Sequence, residues 1–137
     1  WSQDVDVAAD SPIKGYSNLM YTFHFYAATH KEMYREKVKA AVKKGLPVFV
    51  SEFGISESSG NGSIDKKEAN TWIQFLKKNK ISYVCWSLSN KDESCSLLKS
   101  SSTRTGNFRK TDLSAAGRWY QAVKCILQME GWNLLFC

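Results

Sequence analysis

One carboxylate closes an apolar run: in VFVSEFG, residues 48–54, Glu52 stands just before the break at Gly54. Two other apolar runs end in groups suited to partner it. His24 and Tyr26 end the first, and Trp86 with Ser87 ends the third, followed by Asn90, Lys91 and Glu93. A histidine and a tyrosine on a neighbouring strand supply hydrogen-bond donors that hold a carboxylate ionised, as a nucleophile requires. Trp86 offers a flat apolar face of the kind that stacks on a sugar ring. Asn90, Lys91 and Glu93 supply amide and charged groups able to bond hydroxyls at a subsite further along a cleft. Each residue taken singly has an ordinary explanation: a solvated carboxylate, a core histidine, a packing tryptophan. Their expected convergence on one rim favours chemistry. His30 falls in the loop after the first run and is assigned no role.

The elements that must position these groups follow from pattern. Leu19 to Tyr26, Pro47 to Phe53 and Ile81 to Leu88 are rich in β-branched and aromatic residues and read as strands. They lack clean alternation, which predicts parallel strands apolar on both sides and covered by helices. Between them, KEMYREKVKAAVKKG places Tyr34, Val38, Ala41 and Val42 at helical spacing, with Gly45 and Pro47 as a stop. A second helix starts from the capping pair Asp65 and Glu68, carries the stripe Ala69, Trp72, Ile73 and Leu76, and has Asn79 as its C-terminal cap. A third starts at Ser114 and buries Trp119, Val123 and Leu127. The order is β-α-β-α-β-loop-α, an α/β arrangement of parallel strands. The loops after the second and third strands are long and rich in Gly, Ser and Asn, the usual place for function in such folds. Trp1 to Ser17 and the tail QMEGWNLLFC fit the scheme poorly.

The chain has 137 residues, 43% of them hydrophobic, enough for one modest core and one domain. It starts at Trp1, which suggests a processed chain or a piece of one, and no apolar run approaches the roughly 20 residues of a membrane span. The net charge of +6 is spread over helix faces rather than gathered into a patch. A solvated outer layer is expected, not a nucleic-acid or membrane surface. Cys85, Cys95, Cys125 and Cys137 show no zinc-type pairing and are expected as free thiols. No metal constellation or cofactor motif is visible.

NLMYTFHFYAATH, GLPVFVSEFGIS and SYVCWSLSNKDES resemble, in order and spacing, the sixth, seventh and eighth strands of the cellulases of glycoside hydrolase family 5. WSQDVDVAAD resembles the segment after their fifth strand, and the likeness runs over about residues 1–125. It implies a (β/α)8 TIM barrel and retaining hydrolysis of β-1,4-glucan without a metal, in a secreted enzyme. By position it makes Glu52 the nucleophile, His24 and Tyr26 its flanking residues, Trp86 the sugar-stacking aromatic, and Lys91 with Glu93 remote-subsite contacts.

The resemblance also implies an acid/base glutamate in an Asn-Glu pair at the end of a fourth strand, and no such pair occurs in this sequence. Retaining hydrolysis needs a second carboxyl about 5–5.5 Å from the nucleophile, and a full barrel takes about 250 residues. The expectation is therefore a partial barrel of three βα units: residues 1–18 follow an absent fifth strand, 19–128 hold the units, and 129–137 form an apolar tail. Two open edges and an uncovered inner face predict self-association, most simply a homodimer, with the tail around Trp132 to Phe136 helping to bury surface. A carboxyl supplied in trans, or Glu57 from the adjoining loop, is one route to activity. A non-catalytic glucan-binding module and an inactive structural fragment fit the same residues.

Overall fold

The computed structural model describes residues 1–129, the backbone alone from 125 on. The order is α1 (Val5–Asp10), β1 (Tyr21–Tyr26), α2 (Glu32–Lys43), β2 (Val48–Gly54), α3 (Lys66–Lys78), β3 (Tyr83–Cys85) and α4 (Ala115–Met129). The three strands form one parallel sheet in the order β1-β2-β3. The helix-strand alternation expected from the sequence is present. Two boundaries differ: β3 is three residues long rather than eight, and Trp1 to Ser17 contains α1.

Helix stops follow from backbone geometry. At the end of α2, Gly45 takes φ +83°, its N–H donates to the Val42 carbonyl at 2.9 Å, and the Leu46 N–H donates to the Ala41 carbonyl at 3.1 Å. This paired closure needs a left-handed residue, which glycine adopts without a Cβ penalty. The same closure ends α3 on Ile81 N–H to Leu76 O at 2.9 Å, but there Lys80 occupies the left-handed position at φ +55°. Asp65 caps α3 by accepting from the Glu68 N–H at 2.9 Å, and Ser114 caps α4 by accepting from the Gly117 N–H at 3.0 Å. Gly117 is required by closeness: a Cβ there would lie 2.0 Å from the Leu97 carbonyl oxygen.

The core lies between the sheet and the helices. Phe23 and Phe25 of β1, Val48, Val50 and Phe53 of β2, Val38 and Ala41 of α2, the stripe Ala69, Trp72, Ile73 and Leu76 of α3, and Trp119 of α4 are buried together. Phe25 stacks on Trp72 at 3.9 Å and on Phe53 at 5.2 Å. Arg35 pairs with Glu68 and lies 5.4 Å over the Trp72 ring. Tyr34, Val42 and Val123 are only partly buried. The Leu127 side chain and the tail from Trp132 to Phe136 lie outside the described residues, as do the side chains of Cys125 and Cys137. Cys85 and Cys95 are free thiols.

The expectation of strands apolar on both faces is corrected. In β1, Phe23 and Phe25 are buried while Thr22 is exposed and His24 half-buried. Helices cover one face only. The opposite face carries Thr22, His24, Ser51, Glu52, Val84 and Trp86, none of them fully buried.

Candidate active site

A bulge in β2 sets the position of Glu52. Strict alternation from the buried Val48 and Val50 would turn Glu52 toward the helices, because side chains two apart share a face. The register shows otherwise. Thr22 pairs with Phe49 but His24 with Glu52, and Val50 pairs with Tyr83 but Phe53 with Cys85, so β2 holds one extra residue against both neighbours. The extra residue places Ser51 and Glu52 side by side toward the open face and returns Phe53 to the core.

The two adjacent polar groups take different partners. The Tyr26 hydroxyl donates to Glu52 Oε1 at 2.7 Å. His24 Nε2 and Ser51 Oγ are hydrogen-bonded at 2.8 Å, and Ser51 Oγ also meets Thr22 Oγ1 at 2.8 Å. His24 Nδ1 stands 3.8 Å from Glu52 Oε2, an ion-pair separation and too long for a hydrogen bond. Of the two, tyrosine donates directly to the carboxylate and histidine does not, where the sequence suggested both. Burial, and then the Glu52 carboxylate, push the Tyr26 phenol well above its ordinary range.

Glu52 opens onto a cleft of about 380 Å³ lined by Trp1, Gln3, His24, Tyr26, His30, Ser58, Ser59 and Trp86. Glu52 is the only carboxylate in that lining among the described residues. Trp86 is 45% exposed and Trp1 98% exposed, so both present apolar rings at the cleft. The Trp86–Ser87 peptide bond is cis.

Sequence reasoning left out Trp1, Gln3 and His30. The Ser2 carbonyl accepts from the His24 N–H at 3.0 Å and Gln3 Nε2 donates to the His24 carbonyl at 3.2 Å, so residues 2–3 close the outer edge of β1. His30 is 7% exposed, and its Nδ1 accepts from the Tyr26 N–H at 2.8 Å. The other ring nitrogen, Nε2, stands 3.1 Å from Gln3 Nε2. Burial lowers the His30 pKa from its ordinary value. The His30 carbonyl accepts from Trp72 Nε1 at 2.7 Å, tying the end of β1 to α3. A T-H dipeptide after a strand carries no signal for this; a buried histidine becomes evident only once Trp72 is placed.

Asn90, Lys91 and Glu93 lie outside the cleft lining. The Asn90 amide donates to the Ser102 carbonyl at 3.0 Å, and Glu93 Oε2 accepts from the Cys95 thiol at 3.8 Å. Their loop is fastened to the one after β2: Asn61 Oδ1 accepts from the Ser94 N–H and hydroxyl at 3.2 and 3.0 Å, and the Gly60 carbonyl accepts from the Cys95 N–H at 3.0 Å. Glu57 is committed within its own loop, its Oε1 accepting from the Ser63 N–H at 3.0 Å and hydroxyl at 2.7 Å. Those bonds hold its pKa below the ordinary carboxylate value, so Glu57 is poorly suited to donate a proton. Among the described residues no group of three or more His, Cys, Asp or Glu is placed to hold a metal ion, and no helix is long and apolar enough to cross a membrane.

A parallel three-stranded sheet with covering helices and a strand-end cleft is the architecture of a partial (β/α)8 barrel. Residues 1–92 match the family model described as cellulase, glycosyl hydrolase family 5, and the chain belongs to that family. It is 46% identical over 117 residues to an endoglucanase of Clostridium saccharobutylicum, covering 85% of this chain and 26% of that protein. The solved cellulase Cel5C_n superposes with TM-score 0.84 at 41% identity, covering 90% of this chain and 37% of that one. A cellotetraose complex of the endoglucanase Cel5A catalytic domain of Thermobifida fusca superposes with TM-score 0.76 at 30% identity, covering 85% of this chain and 38% of that one. The chain thus spans about a quarter of the length of the curated relatives it matches.

Proposed function

We propose that the chain is the nucleophile-bearing part of a secreted endo-β-1,4-glucanase that cleaves with retention, Glu52 attacking the anomeric carbon. The observation that supports this best is the 2.7 Å bond from the Tyr26 hydroxyl to Glu52 Oε1 inside a cleft walled by Trp86 and Trp1. The bond fixes one carboxylate oxygen and leaves the other to attack, while the indole faces orient a glucosyl ring. His24 and Tyr26 flank the nucleophile in this reading. Trp86 stacks on the sugar, and Lys91, Glu93 and Asn90 contact glucose units further along the chain. The reaction has no metal or cofactor requirement.

Protonation of the leaving oxygen needs a second carboxyl. Glu52 is the sole carboxylate of the cleft lining among the described residues, so the acid/base group is taken from outside this lining. The open face with Met20, Val84, Trp86 and Leu88 exposed is covered by the remaining barrel strands or, for this chain alone, by a second copy. The lone carboxylate also favours a second reading, in which residues 1–137 by themselves bind β-1,4-glucan without cleaving it.

Hydrolysis of carboxymethylcellulose by the chain and by Glu52→Gln at matched purity separates these readings. Turnover abolished by the substitution supports the nucleophile, and turnover that survives contradicts it. Cellotetraose binding without turnover favours the second reading. Sedimentation over a range of concentrations tests self-association, which a concentration-independent monomer contradicts.

A further inference from the structure

We infer that Gly54 is a positioning residue for Glu52 and acts through Tyr26, by leaving empty the volume in which the tyrosine ring must lie to reach the carboxylate. Tyr26 and Gly54 are register partners on β1 and β2. A Cβ built on Gly54 would stand 2.6 Å from both Tyr26 Cδ1 and Cε1, and 3.6 Å from Cys95 Cβ. Carbon atoms in contact sit about 3.5–4.0 Å apart, so one partner has to move by roughly an ångström.

The backbone is poorly able to be that partner. The Gly54 carbonyl accepts from the Ala27 N–H at 2.9 Å, and the added Cβ already stands in contact distance of Cys95 Cβ at 3.6 Å. The Tyr26 main chain is pinned too, its N–H donating to buried His30 Nδ1 at 2.8 Å. Only the ring is left to yield, and it carries the hydroxyl that donates to Glu52. The requirement at position 54 is therefore for space and not for backbone freedom, in contrast to Gly45, which takes φ +83°. Alanine at 54 should preserve the strand and displace the phenol from the carboxylate.

The consequence for turnover rests on the reading of Glu52 as nucleophile; the displacement of Tyr26 does not, and it is measured separately. The full chain is labelled at tyrosine 13Cζ, and the Tyr26 resonance is assigned by its loss in Tyr26→Phe. Glu52→Ala, which removes the acceptor, marks the position of an unbonded Tyr26 phenol. In Gly54→Ala the resonance is expected to move toward that mark, and a resonance unchanged from wild type overturns the inference. If Gly54→Ala fails to fold, Tyr26→Ala makes room for the methyl group. Tyr26→Ala/Gly54→Ala should then melt at the same temperature as Tyr26→Ala, and a clearly lower melting temperature overturns the inference. In a preparation that cleaves glucan, Gly54→Ala should lower kcat as Tyr26→Phe does, with a smaller change in KM. A wild type without turnover leaves the resonance comparison to decide the role of Gly54.

Discussion

Tyr26 donates to Glu52 diagonally across the sheet, because the register sets His24, not Tyr26, opposite Glu52. A hydrogen bond to a charged group is worth about 1.5–3 kcal/mol, and each 1.36 kcal/mol at the transition state is about tenfold in rate. If the bond holds the nucleophile in its attacking orientation, Tyr26→Phe should lower kcat/KM for a soluble glucan by about 10- to 100-fold while leaving the fold intact. The Tyr26 phenol also reports on the pair. Burial and then the Glu52 charge raise its pKa, so Glu52→Gln, which removes the charge and keeps the burial, should let it ionise at lower pH by ultraviolet difference spectroscopy.

His30 should make the fold sensitive to mild acid. Burial lowers its pKa in the folded chain below the ordinary value near 6.5, whereas the unfolded chain retains that ordinary value. Between the two values the unfolded state binds more protons, so stability falls as pH drops below about 6.5 and levels off once pH passes below the folded pKa. Urea unfolding should show a lower midpoint at mildly acidic than at neutral pH. His30→Asn, which keeps an acceptor for the Tyr26 N–H and removes the titration, should flatten that slope.

Lys80 ends α3 in the left-handed conformation at φ +55°. A side chain in that region costs about 1–2 kcal/mol, and glycine relieves the cost while retaining the Ile81 N–H to Leu76 O closure. Lys80→Gly should therefore stabilise the chain by about 1 kcal/mol, measured as a higher unfolding midpoint with an unchanged denaturant slope.

Trp86 is half exposed at the cleft and is not one of the buried core residues. Trp86→Ala should leave the melting temperature close to wild type. A stacking contact worth about 0.5–1.5 kcal/mol corresponds to about 2- to 10-fold weaker cellotetraose binding by calorimetry.

Much of this was legible because it rests on local rules. The stripe from Ala69 to Leu76 is buried as its spacing requires, and Asp65 caps α3 as its sequence signature indicates. The strand ends did bring Glu52, His24, Tyr26 and Trp86 to one cleft. What the residues do not encode locally is the bulge at Ser51 and Glu52. By alternation alone Glu52 shares a face with Val48 and Val50, and only the pairing of β2 with both neighbours reveals the extra residue. The roles of His30 and Gln3 depend on contacts spanning 27 to 42 residues, from Gln3 to His30 and from His30 to Trp72, which no local pattern marks. Gly54 reads from sequence as a strand breaker, yet it is the last residue of β2, and its lack of a side chain makes room for a ring on the next strand.

The central claim is that Glu52 forms a covalent bond to glucose. An activated 2-deoxy-2-fluoro-cellobioside with a dinitrophenolate leaving group needs no protonation to depart, so the attack does not depend on a second carboxyl, and the fluorine slows hydrolysis of the glycosyl-enzyme intermediate. Peptide mass spectrometry after incubation should find one fluorocellobiosyl group per chain, on the peptide containing Glu52 and absent from Glu52→Gln. A peptide left unmodified at Glu52, or a label that persists in Glu52→Gln, would contradict the assignment.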